Sequence, residues 1–227
     1  MRCKDQALSV TEENYLKGIY KLSFFETGKV SNNSIASLLN VNPASVLEML
    51  RKLEKKKLII YDKVKGARLT ASGKQIAVYT IRKHRLWEVF LAEKLGFGWE
   101  EIHNIAEQME HIQSAELVER LDKFLNFPKF DPHGDPIPDP QGRFNLQEGI
   151  SLADAQLGKE YKITGVKDHQ DEFLKFLSRS GLGLGIKIKV AGIEAYDDSL
   201  RVSIEGKKEI TISRKVAQNL VVKKIQR

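Results

Sequence analysis

The stretch IASLLNVNPASVLEMLRKLEKKKLII, residues 35–60, decides the fold of the amino-terminal third of the chain. Asn42 followed by Pro43 marks a helix start, because an Asn side chain caps the first turn and proline fits the first helical position. Residues 31–39 predict one short helix, capped by Ser31, and residues 42–56 predict a second. Two such helices joined by a tight turn form a helix-turn-helix, whose second helix can enter the major groove of DNA.

The flanking segments extend this motif on both sides. Apolar residues at helical spacing predict a preceding helix over 11–25, with Thr11 as its N-cap and Gly28 at its end. After the motif, segments 58–62 and 67–70 predict two short strands around a turn, which together form a β-hairpin wing. The first 72 residues therefore predict a winged helix-turn-helix domain.

The second helix of the motif has one apolar face and one polar face. Val46, Leu50 and Leu53 are expected to pack inward, which leaves the polar face and the wing for DNA. Small and polar side chains near the helix start can reach base edges, whereas Lys and Arg contact phosphates. The predicted DNA-contacting residues are Ala44, Ser45, Glu48, Arg51, Lys52, Lys63, Lys65 and Arg68. A winged helix used only for protein–protein contact remains the alternative.

Metal-type ligands cluster in the middle of the chain. A single predicted helix carries one group within a sector about 100° wide, and an earlier helix repeats the arrangement with a His and a Glu one turn apart. Imidazole and carboxylate groups gathered on one face are typical of a divalent-cation site, although a solvated polar face is the alternative for either group alone. The first group is His103, Glu107, Glu110 and His111, and the second is His84 and Glu88.

The remaining patterns predict three domains. Helices are expected over 74–95, 99–111 and 114–124, followed by a proline-rich loop at 127–144. Beyond that loop, four strands (161–166, 186–193, 199–204 and 209–213) and one short helix (170–178) predict a small β domain. The expected fold is mainly α with small β parts, divided into a DNA-binding domain (1–72), a helical metal-binding and dimerisation domain (73–144) and a small β-barrel (145–227).

Composition narrows the class of protein. The 227 residues have a formal net charge of +7, unevenly spread: about +6 over 1–72, −4 over 73–150 and +5 over 151–227. A basic head beside an acidic body predicts a polyanion-binding part joined to a cation-binding part. No apolar run is long enough to span a membrane, no signal peptide is expected, and Cys3 is the only cysteine. We therefore expect a cytoplasmic protein without a membrane partner, and assign Cys3 no role.

A family resemblance now follows from several segments. TEENYLKGIYKL, IASLLNVNPASVLEMLRKLEKKKLI, LTASGKQIA, RKHRLWEVFLAEKLG and IHNIAEQMEHIQS resemble, in this order, the diphtheria-toxin-repressor and manganese-transport-regulator family. HGDPIPDP resembles the family's loop after its dimerisation helices, and residues 150–227 resemble, more weakly, its Src-homology-3-like, FeoA-type third domain. The resemblance implies a homodimeric, metal-activated repressor that binds a palindromic operator in double-stranded DNA and controls metal uptake.

The resemblance also implies two metal sites. A regulatory site would comprise Asn14, Glu107, Glu110 and His111, and an ancillary site would comprise His84, Glu88 and His103. His169 and Glu172 are candidate further ligands from the third domain, with an exposed helix start as the alternative, and His133 is assigned no role. Two positions depart from the family: Asn14 stands where methionine or aspartate is usual, and Lys17 replaces a glutamate of the manganese branch's two-metal cluster.

The donor set and the chain's chemistry favour a metal-controlled switch. Oxygen-rich donors without sulfur, and Glu107 where iron-sensing members have cysteine, favour Mn²⁺, with Fe²⁺ as the alternative and Zn²⁺ able to occupy the sites in vitro. Without metal, the clustered carboxylates are expected to repel one another. A metalloenzyme is the rival class, but the sequence has no His-Glu-x-x-His motif and no evident nucleophile–base pair, so we expect no small-molecule substrate.

Overall fold

The computed structural model describes residues 8–23, 30–145 and 148–225, which fall into two compact units. The first unit comprises Met1–His84, Gln108–Ser114 and Pro138–Arg143, and the second comprises Arg85–Glu107, Ala115–Ile137 and Phe144–Arg227. The assignments made to Cys3 and Gly28 lie outside the described residues.

The first unit begins with α1 (Val10–Leu22), and its start differs from the prediction. Ser9, not Thr11, is the N-cap, because the Ser9 hydroxyl accepts a hydrogen bond from the Glu12 N–H. The Glu12 carboxylate in turn accepts from the Ser9 N–H at 2.8 Å, which completes a capping box. This reciprocal bond between Ser9 and Glu12 was missed by the sequence analysis.

The helix-turn-helix and its wing agree with the sequence. The structure has α2 (Asn32–Leu39), α3 (Pro43–Lys55) and the antiparallel pair β1 (Ile59–Asp62) and β2 (Gly66–Leu69). Val46, Leu50 and Leu53 are fully buried, as predicted.

Local contacts hold these elements in place. The Asn42 side chain caps α3 by accepting from the Ala44 N–H at 2.8 Å. The wing is fixed to the chain before α2, because the Ala67 N–H donates to the Val30 carbonyl at 2.9 Å. Gly66 permits this approach: its φ is +71°, and a Cβ there would lie 2.5 Å from the Val30 oxygen.

Three further helices follow the wing. α4 spans Ala71–Leu95, α5 spans Ile102–Met109 and α6 spans Ala115–Phe124. α4 begins three residues before the predicted start, because the Thr70 hydroxyl accepts from the Gly73 N–H at 3.2 Å and caps the first turn. α5 is shorter than predicted, so Glu110 and His111 lie in the turn that follows it. The expectation that all four ligands of the first group share one helix is therefore wrong.

The second unit contains a six-stranded antiparallel sheet in the order β3-β8-β4-β5-β6-β7. Its strands are β3 (Ile150–Ser151), β4 (Glu160–Val166), β5 (Lys187–Ile193), β6 (Leu200–Ile204), β7 (Lys208–Ile212) and β8 (Leu220–Lys224), with helices α7 (Asp171–Ser180) and α8 (Arg214–Gln218). The four predicted strands are confirmed, whereas β3, β8 and α8 were missed. β8 pairs with both β3 and β4, so the sheet depends on it. In the described part of the chain, no helix combines the length and apolarity needed to cross a bilayer.

Candidate metal centre

Glu110 is the centre of a buried polar cluster in the first unit. Its side chain is fully buried, and its Oε2 lies 2.7 Å from Nδ1 of His84. The other oxygen, Oε1, lies 2.5 Å from the Lys17 ammonium and 3.6 Å from Nε2 of His111. A carboxylate removed from water and approached by two imidazoles is a suitable core for a cation site.

Glu13, on α1, completes this cluster and was missed by the sequence analysis. Its Oε2 lies 2.6 Å from Nδ1 of His111, and its Oε1 accepts from the Gln113 side-chain amide at 2.7 Å. A carboxylate on one ring nitrogen fixes the orientation of an imidazole and increases the basicity of the other nitrogen. Glu13 therefore holds His111 with its Nε2 toward Glu110. The sequence signal that could have indicated Glu13 is its position directly before the predicted ligand Asn14.

Two buried lysines balance the two buried glutamates. Lys17 contacts Glu110, and the Lys83 ammonium lies 3.7 Å from Oε2 of Glu13. Burial lowers the pKa of Lys83, although the charges of Glu13 and Glu110 oppose that shift. The Glu13 and Glu110 carboxylates each have a lysine ammonium beside them. The predicted repulsion between unpaired carboxylates is therefore not observed in this cluster.

The Asn14 side chain supplies a test of whether a metal fits this unit. Its Oδ1 is buried and, among the residues that the structure describes, has no hydrogen-bond partner. A buried polar atom without a hydrogen-bond partner costs folding free energy, and native proteins rarely contain one. A divalent cation held by Asn14 Oδ1, the Glu110 carboxylate and the His111 imidazole would satisfy it, so the residues present fit a metal. The predicted fourth donor, Glu107, lies in the second unit, and its place in the set stays a prediction.

A second cluster of possible ligands lies within the second unit. Glu88, Asp131 and His133 are all buried, and each offers a ligand atom within 4.8 Å of the others. His133 Nε2 is 2.8 Å from the Trp99 carbonyl, which can only accept, so this nitrogen carries the proton. His133 Nδ1, 3.7 Å from Glu88 Oε1, is thereby the nitrogen available to a metal. Asp131 and His133 were missed, although both stand in the proline-rich loop among other acidic residues.

The electrostatics of this second cluster favour a bound cation. Burial raises the pKa of Asp131, and the charges of Glu88 and Asp135 raise it further. Burial alone would lower the pKa of His133, but hydrogen bonding to Glu88 and the charges of Glu88 and Asp131 outweigh it and raise that pKa. The negative charge of neighbouring acids contributes to both shifts, and a bound divalent ion would offset that charge.

The other predicted ligands divide between the two units. His84 is in the first unit with Glu110, whereas Glu88 and His103 are in the second, with His103 Nδ1 3.4 Å from Glu88 Oε1. His103 Nε2 lies 3.6 Å from Glu107. His169 lies near the second cluster, since its ring centroid is 5.0 Å from that of His133. Glu172, by contrast, is exposed in the first turn of α7.

The predicted DNA-contacting residues form an exposed set on α3 and the wing. All eight (Ala44, Ser45, Glu48, Arg51, Lys52, Lys63, Lys65 and Arg68) have exposed side chains. Lys52 has a second contact, because its ammonium lies 3.4 Å from Glu12, which also pairs with Lys56 at 2.7 Å. α1, which carries Glu13 and Asn14, is thus linked by Glu12 directly to the predicted recognition helix.

Comparison with known protein families identifies the class. Residues 7–67 match the N-terminal DNA-binding domain of iron-dependent repressors, and residues 70–139 match their metal-binding and dimerisation domain. Residues 150–224 match the FeoA domain. The chain belongs to the diphtheria-toxin-repressor family of metal-dependent transcriptional repressors, which are regulators and not enzymes.

Individual relatives agree along nearly the whole chain. The iron-dependent repressor IdeR of Mycobacterium leprae is 28% identical over 229 residues, which cover 95% of this chain and 97% of the relative. Among solved structures, a manganese-dependent transcriptional repressor in complex with manganese has a TM-score of 0.83 and 29% identity, covering 94% of this chain and all of that one. ScaR with bound Zn²⁺ has a TM-score of 0.74 and 38% identity, covering 94% and 99%. The protein is therefore a metal-dependent transcriptional repressor with DNA-binding, dimerisation and FeoA domains.

Proposed function

We propose that this protein is a Mn²⁺-activated repressor that binds a palindromic operator as a homodimer and controls genes of metal uptake. The observation that carries the proposal is the buried Glu110 carboxylate between His84 and His111, together with the Asn14 oxygen, which has no hydrogen-bond partner in the described part of the chain. These donors lie in the unit that also contains the winged helix-turn-helix. A metal ion bound there would fix α1 relative to the residues after α5.

The donor chemistry supports Mn²⁺ as the activating ion. Asn14, Glu110 and the sequence-predicted ligand Glu107 offer oxygen, His111 offers an imidazole, and none offers sulfur. Oxygen-rich sites suit harder ions that accept five or six ligands, whereas thiolates and thioethers favour softer ones. Fe²⁺ is the second candidate because relatives include iron-dependent repressors. Zn²⁺ is a third ion that could occupy the site in vitro, because ScaR has been solved with bound Zn²⁺.

A second metal is proposed at Glu88, Asp131 and His133. Their burial, their mutual distances and the available Nδ1 of His133 support this assignment. It shares Glu88 with the predicted ancillary site, which comprises His84, Glu88 and His103, and adds two residues from the proline-rich loop. His169 is a candidate additional ligand, whereas the exposure of Glu172 argues against its participation.

Dimerisation and DNA binding complete the proposed mechanism. Leu95, Leu117 and Phe124 expose 56%, 37% and 63% of their surface, which supports an apolar homodimer interface within residues 75–125. In the dimer, the exposed residues of α3 and the wing of each protomer would contact one half-site. We propose a cytoplasmic location and the domain limits predicted above. Metal is then a ligand that favours the DNA-competent form, and DNA must tighten metal binding by the same factor.

The direct test is metal dependence of operator binding. An operator would be selected from a random duplex library with the Mn²⁺-loaded protein, and its affinity measured at fixed free Mn²⁺ and in excess chelator. We expect a loss of about 100-fold or more in chelator, which corresponds to a coupling near the upper end of ordinary allosteric couplings, ~3 kcal/mol. Operator affinity that chelation leaves undiminished would contradict the proposal.

The choice of metal has its own test, which uses Glu107→Cys. Zn²⁺ is expected to bind more tightly than Mn²⁺ but to activate less, because its tetrahedral preference omits a ligand. Introducing a thiolate should shift activation toward Fe²⁺ and Zn²⁺. The measurement is operator affinity at buffered free Mn²⁺, anaerobic Fe²⁺ and Zn²⁺ for the unchanged protein and the variant. A ranking that is the same in both proteins would exclude Glu107 as the residue that selects Mn²⁺.

A further inference from the structure

Three lysines form a row across the outer face of the FeoA-type sheet. In the strand register, Lys162 of β4 lies directly opposite Lys223 of β8 on one side and Lys187 of β5 on the other. Residues directly opposite in an antiparallel pair share a face, so the three side chains are lateral neighbours. All three are exposed, and among the described residues none of them forms an ion pair. We call Lys162, Lys187 and Lys223 the lysine row.

This arrangement is unfavourable for the sheet itself. Like charges directly opposite each other destabilise an antiparallel pair, whereas opposite charges stabilise it. The next row shows the favourable case, because Glu160 of β4 lies opposite Lys189 of β5. At one end of the lysine row, the Glu205 carboxylate accepts from the Lys187 backbone N–H at 2.7 Å. The row is therefore a concentration of positive charge that the fold does not use for its own stability.

The surface beside the row is open and shallow. A groove of about 600 Å³ adjoins it, lined by Lys162, Lys223 and Lys224, with Phe130, Thr164 and Gly185 among its other residues. Lysine ammonium groups on flexible stems are point charges that bind phosphate without reading sequence. A row of exposed lysines with a groove beside it suits an extended polyanion better than a single small anion, which requires converging, buried donors.

We propose that the lysine row binds the sugar-phosphate backbone of double-stranded DNA, as a contact additional to those of α3 and the wing. Neighbouring strands are ~4.8 Å apart, so the row spans about 10 Å, a length of helix axis along which the two strands of B-DNA together carry about six phosphates. The row adds affinity and salt dependence but no sequence preference. The inference rests on the proposed function for its choice of DNA over other polyanions, and it is tested separately from it.

The test compares three full-length variants that each remove three positive charges. The row variant is Lys162→Gln/Lys187→Gln/Lys223→Gln. The control variant, Lys175→Gln/Lys207→Gln/Lys215→Gln, changes exposed lysines of the same domain that lie outside the row. The head variant is Arg51→Gln/Lys65→Gln/Arg68→Gln. The probe is a 60-base-pair random-sequence duplex, and binding is measured by fluorescence anisotropy over 50–200 mM salt with Mn²⁺ present.

The expected result is a loss of salt dependence in the row variant. Each phosphate contact contributes about 0.9 to the slope of log affinity against log salt, so three lost contacts per chain lower its magnitude by about 2.7. Across a fourfold change in salt, that slope is worth about 40-fold in affinity. The control variant should change the slope by much less, and Mn²⁺ affinity and melting temperature should not fall in the row variant.

Several outcomes would overturn the inference. A row variant with the slope of the unchanged protein shows that the row does not contact DNA. A reduced slope in the head variant shows that the same assay detects the phosphate contacts of α3 and the wing. Displacement of the row's contribution by inorganic phosphate at constant ionic strength would identify a small-anion site. Equal competition by polyglutamate of matched charge would identify an acidic protein segment as the occupant. The metal-dependence experiment decides the proposed function independently, because it uses selected operator DNA and chelator.

Discussion

Glu110→Gln is expected to abolish metal-stimulated operator binding. Glutamine keeps the shape of the side chain but removes the charge that faces His84, His111 and Lys17. Residues that only orient a metal ligand are worth about 10–100-fold in metal affinity, so loss of a charged ligand should weaken Mn²⁺ binding by at least about 100-fold. The measurements are Mn²⁺ affinity by competition with a chelator of known affinity, and operator affinity at saturating Mn²⁺ for the unchanged protein.

Two further variants separate lost ligation from lost folding. Glu116→Gln removes an exposed carboxylate that pairs with Arg120 at 2.7 Å on the surface of α6, and should leave both affinities unchanged. Glu110→Gln/Lys17→Met removes both charges of the Lys17–Glu110 pair, so the Lys17 ammonium is not left buried without its partner. A double variant that is folded and still shows full metal-stimulated binding would exclude Glu110 as a ligand.

Lys17→Met is expected to have the opposite effect on metal affinity. The Lys17 ammonium lies 2.5 Å from Glu110 Oε1, so an incoming cation must compete with it for that oxygen. Methionine fills similar volume without charge, and Mn²⁺ should then bind about 10-fold or more tightly. Without metal, Glu110 would lose its ammonium partner, and breaking a buried pair costs about 3–5 kcal/mol of folding free energy.

The measurement for Lys17→Met is the melting temperature with and without Mn²⁺, together with Mn²⁺ affinity by chelator competition. The metal-free melting temperature should fall, and saturating Mn²⁺ should restore it, because a ligand that binds only the folded state stabilises it. Lys21→Met, an exposed position one turn later on α1, is the matched control and should change neither quantity. Weaker Mn²⁺ binding by Lys17→Met would show that the ammonium supports the site and does not compete with the metal.

Helices and strands that depend on residues close together in the sequence could be predicted well. The start of α3 depends on Asn42 and Ala44, two residues apart, and the core face of α3 repeats at helical spacing. The same reasoning failed where a competing local bond was overlooked. The α1 cap is Ser9 because Glu12 completes a capping box, and α4 starts early because Thr70 caps it. In the β domain, β8 was missed because its ladder partners, β3 and β4, lie far away in sequence.

The sequence by itself determined the winged helix-turn-helix, the identity of most candidate ligands and the family. These features depend on helix caps, periodicity and the order of motifs, which involve residues that are close together in the sequence. Only the tertiary structure decided which groups meet. Glu13 holds His111 from 98 positions away, and Lys17 neutralises Glu110 across 93. Asp131 and His133 join Glu88 from a loop whose sequence predicts only a boundary. Charge balance and burial depend on packing between distant segments, and local patterns do not encode the distances that set them.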